Sequence, residues 1–207
     1  MAEVLLNKFA SLKEAEDMIV SCGSSATFHL MGEPGVGKTS MYKNIVERTG
    51  YKGIYIDAPN IELGELGIPI PNHETKTTRI YPNEQWGFHL DEPLVIFIDE
   101  FTKAMQGVKN MLHPLLEVAN PRLGDVSVNP ESIIFLTGNL GSDGLGDALK
   151  AHSRNRIIPL TVRKPNADEW IEWAIGNDVS PEVIAWVKQF PHALASYTDP
   201  SQRENPY

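Results

Sequence analysis

Gly32-Glu33-Pro34-Gly35-Val36-Gly37-Lys38-Thr39 fits G-x-x-x-x-G-K-S/T, the phosphate-binding P-loop, at every fixed position. A triphosphate crowds several negative charges into a small volume, so backbone that wraps it must turn tightly without interference from Cβ atoms. Gly32, Gly35 and Gly37 permit such turns and let consecutive N–H groups point inward. Lys38 is placed to reach the β- and γ-phosphates, and the Thr39 hydroxyl to ligate Mg²⁺. Working outward, Thr27 to Met31 reads as a short strand before the loop, and Ser40 to Arg48 as a helix after it. That helix aims its positive N-terminal end at the phosphates. The nucleotide-binding candidates are therefore Gly32 to Thr39 together with Ser40.

Further along, Leu94-Val95-Ile96-Phe97-Ile98 is an unbroken apolar run, the mark of a strand buried on both faces of a parallel sheet. It leads straight into Asp99-Glu100, and the C-terminal ends of such strands are where open α/β sheets bind ligands. This is the Walker B pattern. Asp99 is placed to hold Mg²⁺, directly or through water, and Glu100 to polarise the water that attacks the γ-phosphate. Two acidic residues at a strand end are by themselves only a solvated terminus; the P-loop upstream gives them meaning. Ser132 to Thr137 reads as another strand, ending in Gly138-Asn139. Asn139 alone would be an ordinary turn residue, but at that tip it can hydrogen-bond the γ-phosphate or the attacking water. Ser153-Arg154-Asn155-Arg156 precedes a strand over Ile157 to Val162. The two arginines are either solvated or reach the triphosphate of a neighbouring subunit as an arginine finger.

The remaining elements follow from periodicity and punctuation. Glu3 to Cys22 reads as one or two helical pieces, with Leu12, Ala15, Ile19 and Cys22 on one face and a capping box from Ser11 to Glu14. Gly50 should stop the P-loop helix, and Gly53 to Asp57 should be a second strand. Asn60 to His89 is the least legible part: Gly64, Gly67, Pro69, Pro71 and Pro82 argue against long regular elements, yet its apolar residues favour an ordered insertion. Val108 to Ala119 reads as a helix interrupted at Pro114, and Leu123 to Val128 as a small hairpin over Gly124-Asp125. A Gly-rich turn from Gly141 to Gly146 leads to a short helix over Asp147 to His152. Helices should open at Asn166-Ala167-Asp168-Glu169 and at Ser180-Pro181-Glu182. The tail from Tyr197 to Tyr207 carries no recognisable element.

The composition narrows the function class. A chain of 207 residues allows one or two domains, and apolar and charged shares of 42% and 22% are those of a soluble globular protein. A net charge of −9 and a pI near 5.1 argue against a broad nucleic-acid-binding face, without excluding a local basic groove. Cys22 is the only cysteine, so no internal disulfide can form, which suits a reducing compartment. No run approaches the roughly 18 apolar residues of a membrane span, and the N-terminus lacks a secretion pattern. No membrane association is expected, and the cytoplasm is the default location. His29, His73, His89, His113, His152 and His192 show no metal-ligand spacing and read as structural or surface residues.

P-loop, strand-end Asp-Glu, strand-end Asn and pre-strand Arg stand in the order of an AAA+ ATPase, which the chain resembles from Ser25 to Val162. Within that group it is similar to MoxR-type ATPases, in particular small versions from phage and prophage genomes. Ile56-Asp57-Ala58-Pro59 with the long insertion after it, Asp99-Glu100-Phe101-Thr102-Lys103, Val108-Lys109-Asn110-Met111-Leu112 and Leu136-Thr137-Gly138-Asn139 carry that narrower likeness. The resemblance implies an α/β fold, an αβα sandwich with a five-stranded parallel sheet over residues 1–163, and a helical lid over 164–207. It implies ATP and Mg²⁺ as cofactors, Asn139 as sensor 1, and Arg156 as finger with Arg154 second. Ile157 stands where the family's Arg-Phe pair has Phe. It further implies a hexameric ring that remodels a partner protein, often one with a von Willebrand factor A domain, with the insertion facing a pore or partner. No arginine between Asn166 and Tyr207 suits the sensor 2 position, Arg203 lying in the tail, so the lid is expected to be incomplete. Rival readings are a nucleotide-gated DNA-transaction factor such as a helicase loader or packaging accessory, a small-molecule kinase, and a nucleotide-dependent scaffold with little hydrolysis. Glu100 argues against the kinase, where a water-activating carboxylate would waste ATP.

Overall fold

In the computed structural model, which describes residues 9–139 and 157–194, every apolar run singled out above becomes a strand. In chain order the strands are β1 (Thr27–Gly32), β2 (Lys52–Asp57), β3 (Gly67–Asn72), β4 (Thr77–Pro82), β5 (Leu94–Asp99), β6 (Arg122–Leu123), β7 (Val126–Ser127), β8 (Ile133–Asn139) and β9 (Ile157–Thr161). The helices are α1 (Leu12–Cys22), α2 (Lys38–Thr49), α3 (Leu63–Leu66), α4 (Gln106–Leu112), α5 (Ala167–Gly176) and α6 (Pro181–Gln189). One five-stranded sheet has the order β2-β5-β8-β1-β9, and all its pairings are parallel. This is the expected α/β fold. Parallel neighbours need long crossovers, and these put helices on both faces.

Strand alternation then sorts the core into two layers. On one face Phe28, Leu30, Phe97 and Phe135 pack with Ile19 of α1 and Met41 and Ile45 of α2. On the other, Ile56, Ile96, Ile98 and Leu136 pack with Phe101 and with Val108 and Leu112 of α4. β5 is buried from Leu94 through Ile98 because both its faces are covered.

Local signals set the helix ends. Ser11 and Glu14 form the expected capping box at α1, and Gly50 ends α2 with φ 69°, its N–H donating to the Val46 carbonyl. After α4 the chain tightens into a 3₁₀ turn over His113–Leu116, where Pro114 cannot supply an α-helical N–H. The hairpin at Gly124-Asp125 pairs Arg122 with Ser127 and Leu123 with Val126. The described residues divide into two compact units between Val162 and Arg163. In the second, α5 opens on the Asn166–Glu169 capping box, and Arg163 grips Glu169 with two bonds of 2.7 and 2.5 Å. Among the described residues no helix is long and apolar enough to cross a membrane.

Two expectations need correction. Cys22 does not continue the buried face of α1: it is exposed, and the buried position after Ala15 and Ile19 is Gly23. A Cβ there would meet Ile133 Cγ2 at 2.6 Å, so the chain passes the sheet too closely at Gly23 for a side chain. The insertion after β2 also contains more regular structure than its prolines imply. β3 and β4 form an antiparallel hairpin with Pro69 opposite Ile80 and Pro71 opposite Thr78. The Ile80 N–H and C=O bond Asp125 rather than β3, so the Pro69–Ile80 pair exchanges no ladder bonds and the missing proline donor is not needed. The Gly141–Gly146 turn, the helix over Asp147 to His152, Arg154, Arg156, residues 3–8 and the Tyr197–Tyr207 tail lie outside the described residues.

Candidate nucleotide-binding site

The P-loop joins the C-terminal end of β1 to the start of α2. Gly35 and Gly37 hold φ values of 74° and 107°, in the left-handed region that favours glycine. Gly32 serves differently from the turn role expected of it. It is the last residue of β1, and a Cβ there would lie 2.9 Å from the Val162 carbonyl oxygen, so close strand packing requires the glycine. Val36 is buried and anchors the loop to the core, while Pro34, Gly35, Thr39 and Ser40 are exposed. Lys38 Nζ donates to the carbonyls of Gly32 and Glu33 at 2.9 and 3.0 Å. Burial lowers the Lys38 pKa; Asp99 and Glu100 pull it back up, and Lys103 pushes it down again. The ammonium therefore sits in the field of the Walker B carboxylates.

At the end of β5, Asp99 is gripped from both sides. Its Oδ1 accepts from the Thr137 hydroxyl and from the Glu100 N–H at 3.1 Å; its Oδ2 accepts from the Tyr55 hydroxyl at 2.9 Å. The Glu100 N–H also donates to Thr137 Oγ1 at 2.9 Å. Glu100 itself adopts a left-handed conformation, φ 49° and ψ 37°, rare for a residue with a Cβ. Such strain concentrates at functional sites. Its carboxylate pairs with Lys103 Nζ at 2.5 Å, with both side chains more than 40% exposed (42% and 43%).

Asn139 ends β8, with its backbone opposite Gly32 of β1. Parallel pairing thus brings the P-loop entry, Asp99-Glu100 and the Asn139 backbone to one edge of the sheet, at the C-terminal ends of β1, β5 and β8. Arg154 and Arg156 fall outside the described residues. His29, on β1, is buried, and among the described residues neither ring nitrogen has a hydrogen-bond partner. Burial, reinforced by the charge of Lys38, lowers its pKa to about 4.

Tyr55, Thr137 and Lys103 are the residues that sequence reasoning missed. Thr137 stood inside the quoted Leu136-Thr137-Gly138-Asn139, and only its parity with Leu30 and Phe135 hints that it faces Asp99. Tyr55 carries no motif at all; only the pairing of β2 with β5 brings it to the site.

Among the described residues no group of three His, Cys, Asp or Glu could hold a metal by itself. Thr39 and Asp99 are hard oxygen donors, and Mg²⁺ is usually held by one or two protein groups plus substrate phosphates and water. That donor set fits Mg²⁺ bound together with a nucleotide.

Residues 24–184 match the model of the AAA domain (Cdc48 subfamily), and the chain belongs to this family of AAA+ ATPases. Members bind nucleotide, typically with Mg²⁺. A "putative ATPase" from Cytophaga hutchinsonii ATCC 33406 has a similar fold, with a TM-score of 0.51 and 14% identity over 81% of this chain. The match covers 50% of that protein, so the chain spans half of its length. No curated protein sequence matches the chain.

Proposed function

We propose that this chain is a Mg²⁺-dependent ATPase of MoxR type, similar to small phage-borne members, that works as a ring, a hexamer by analogy, to remodel a partner protein in the cytoplasm. The observation that carries the catalytic half is the convergence of Lys38, Asp99, Glu100 and the Asn139 backbone at one sheet edge, with Lys38 in the field of both carboxylates.

The left-handed turns at Gly35 and Gly37 present backbone N–H groups to the phosphates. Lys38 exchanges its bonds to Gly32 and Glu33 for the β- and γ-phosphates, keeping its charge beside the oxygens on which negative charge develops as the bond to the leaving ADP breaks. Thr39 and Asp99 hold the cation, which neutralises phosphate charge when bound. Glu100 orients the attacking water and accepts its proton, after its carboxylate leaves Lys103. Asn139 holds the water or the γ-phosphate, and Arg156, or Arg154, serves the neighbouring subunit's site. The β3–β4 hairpin exposes Ile68, Ile70 and Tyr81, which suits contact with a protein such as a von Willebrand factor A domain better than with nucleic acid, given the acidic balance.

Two variants test the site. Lys38→Ala should weaken ATP binding at least ~10-fold by loss of a charge-assisted phosphate contact. Glu100→Gln should preserve binding while turnover falls on the order of 100-fold. Unchanged affinity in the first would remove the P-loop assignment; normal turnover in the second would move the base elsewhere.

A further inference from the structure

The two oxygens of Asp99 are held by hydroxyls from the strands on either side. Tyr55 on β2 bonds Oδ2, and Thr137 on β8 bonds Oδ1 together with the Glu100 N–H. Register explains the convergence. Tyr55 lies opposite Phe97, Phe97 opposite Phe135, and Asp57 opposite Asp99, so Tyr55, Phe97, Asp99 and Thr137 share one sheet face. The Tyr55 ring is braced by Phe97 and by Tyr42 of α2, with centroids 5.6 and 6.1 Å away. The hydroxyl and the ring thus have separable jobs. The ring packs, and the hydroxyl reaches the carboxylate.

Resting on the nucleotide reading above, we propose that Tyr55 is a positioning residue for the cation site, fixing the Asp99 carboxylate for Mg²⁺ through its hydroxyl. A carboxylate offers about four lone-pair sites, and the Tyr55 hydroxyl, the Thr137 hydroxyl and the Glu100 N–H occupy three. The site left over is the one open to the cation or to its bound water. Mg²⁺ demands near-ideal octahedral geometry, so a carboxylate free to rotate binds it less well than one already oriented. Partners of metal ligands commonly change metal affinity by about 10- to 100-fold. Tyr55 is also 41% exposed, and its bond to Asp99 is an exposed one. One such bond adds little to fold stability. Its effect is therefore expected on the cation and not on folding.

The test is Tyr55→Phe in the full chain, which keeps the ring and removes the donor. Binding of N-methylanthraniloyl-ATP is followed in EDTA and across a Mg²⁺ series, with thermal unfolding alongside. The Mg²⁺ concentration for half-maximal binding should rise about 10-fold, with affinity in EDTA and unfolding midpoint unchanged. A wild-type Mg²⁺ midpoint in the variant, or equal losses with and without Mg²⁺, would overturn the positioning role while leaving the nucleotide reading intact. A wild-type chain that fails to bind the analogue under either condition would instead overturn the nucleotide reading, and this inference with it.

Discussion

His29 illustrates how a single side chain ties the core to the site. Its Nε2 lies 2.5 Å from the point where Gly138 would carry a Cβ, so the imidazole fills the space that the glycine before Asn139 leaves open. Desolvation comes first and the charge of Lys38 second in lowering its pKa to about 4, from the ordinary 6.5. Between those values the unfolded chain binds a proton that the folded chain does not. The stability contribution is therefore complete above pH 6.5 and lost as pH falls toward 4. The full effect is about 3 kcal/mol from a shift of this size. Denaturant titrations of the wild type and His29→Gln at several pH values should show a difference that shrinks as pH falls from 6.5 to 4. A constant difference would mean that the ring binds protons alike in the folded and unfolded chain. The sequence reading of His29 as structural agrees with its burial, but its place beneath Gly138 was invisible without the β1–β8 pairing.

Elements varied in legibility according to how local their causes are. The α1 capping box was legible because both partners lie within one turn: Glu14 N–H donates to Ser11 Oγ at 3.2 Å and Ser11 N–H to Glu14 Oε2 at 2.8 Å. Ser11→Ala should cost about 1 kcal/mol of stability, read as a lower denaturation midpoint with unchanged m-value. An unchanged midpoint would mean that water replaces the cap at no cost. β5 was legible for another reason, since burial on both faces requires an unbroken apolar run. The β3–β4 hairpin was not legible. Its prolines are breakers in isolation, and only Asp125, more than forty positions away, explains how Ile80 satisfies its backbone outside the ladder (a separation of 45).

At the scale of the molecule the decisive question is whether one chain makes a whole catalytic site. Among the described residues Lys38 reaches the site from the loop, whereas Lys103 is engaged with Glu100. A transferring phosphoryl group gains from a further cation, which a neighbouring Arg156 would supply in trans. ATPase rate per subunit should therefore climb with protein concentration, and Arg156→Ala should be inactive at every concentration while still binding ATP. A flat wild-type curve with an active Arg156→Ala would exclude a site shared between subunits.

The sequence alone determined the α/β class and the five strands of the sheet, and it marked the loop, carboxylates and Asn proposed above as a nucleotide site. It could do so because glycine turns, apolar runs and strand-end charges act over a few neighbouring residues. Tertiary structure decided what holds those residues. The close packing at Gly32, the imidazole beneath Gly138, and the hydroxyls of Tyr55 and Thr137 on Asp99 all depend on which strands lie side by side and in which register. Pairing between strands far apart in the chain leaves no local trace in either one.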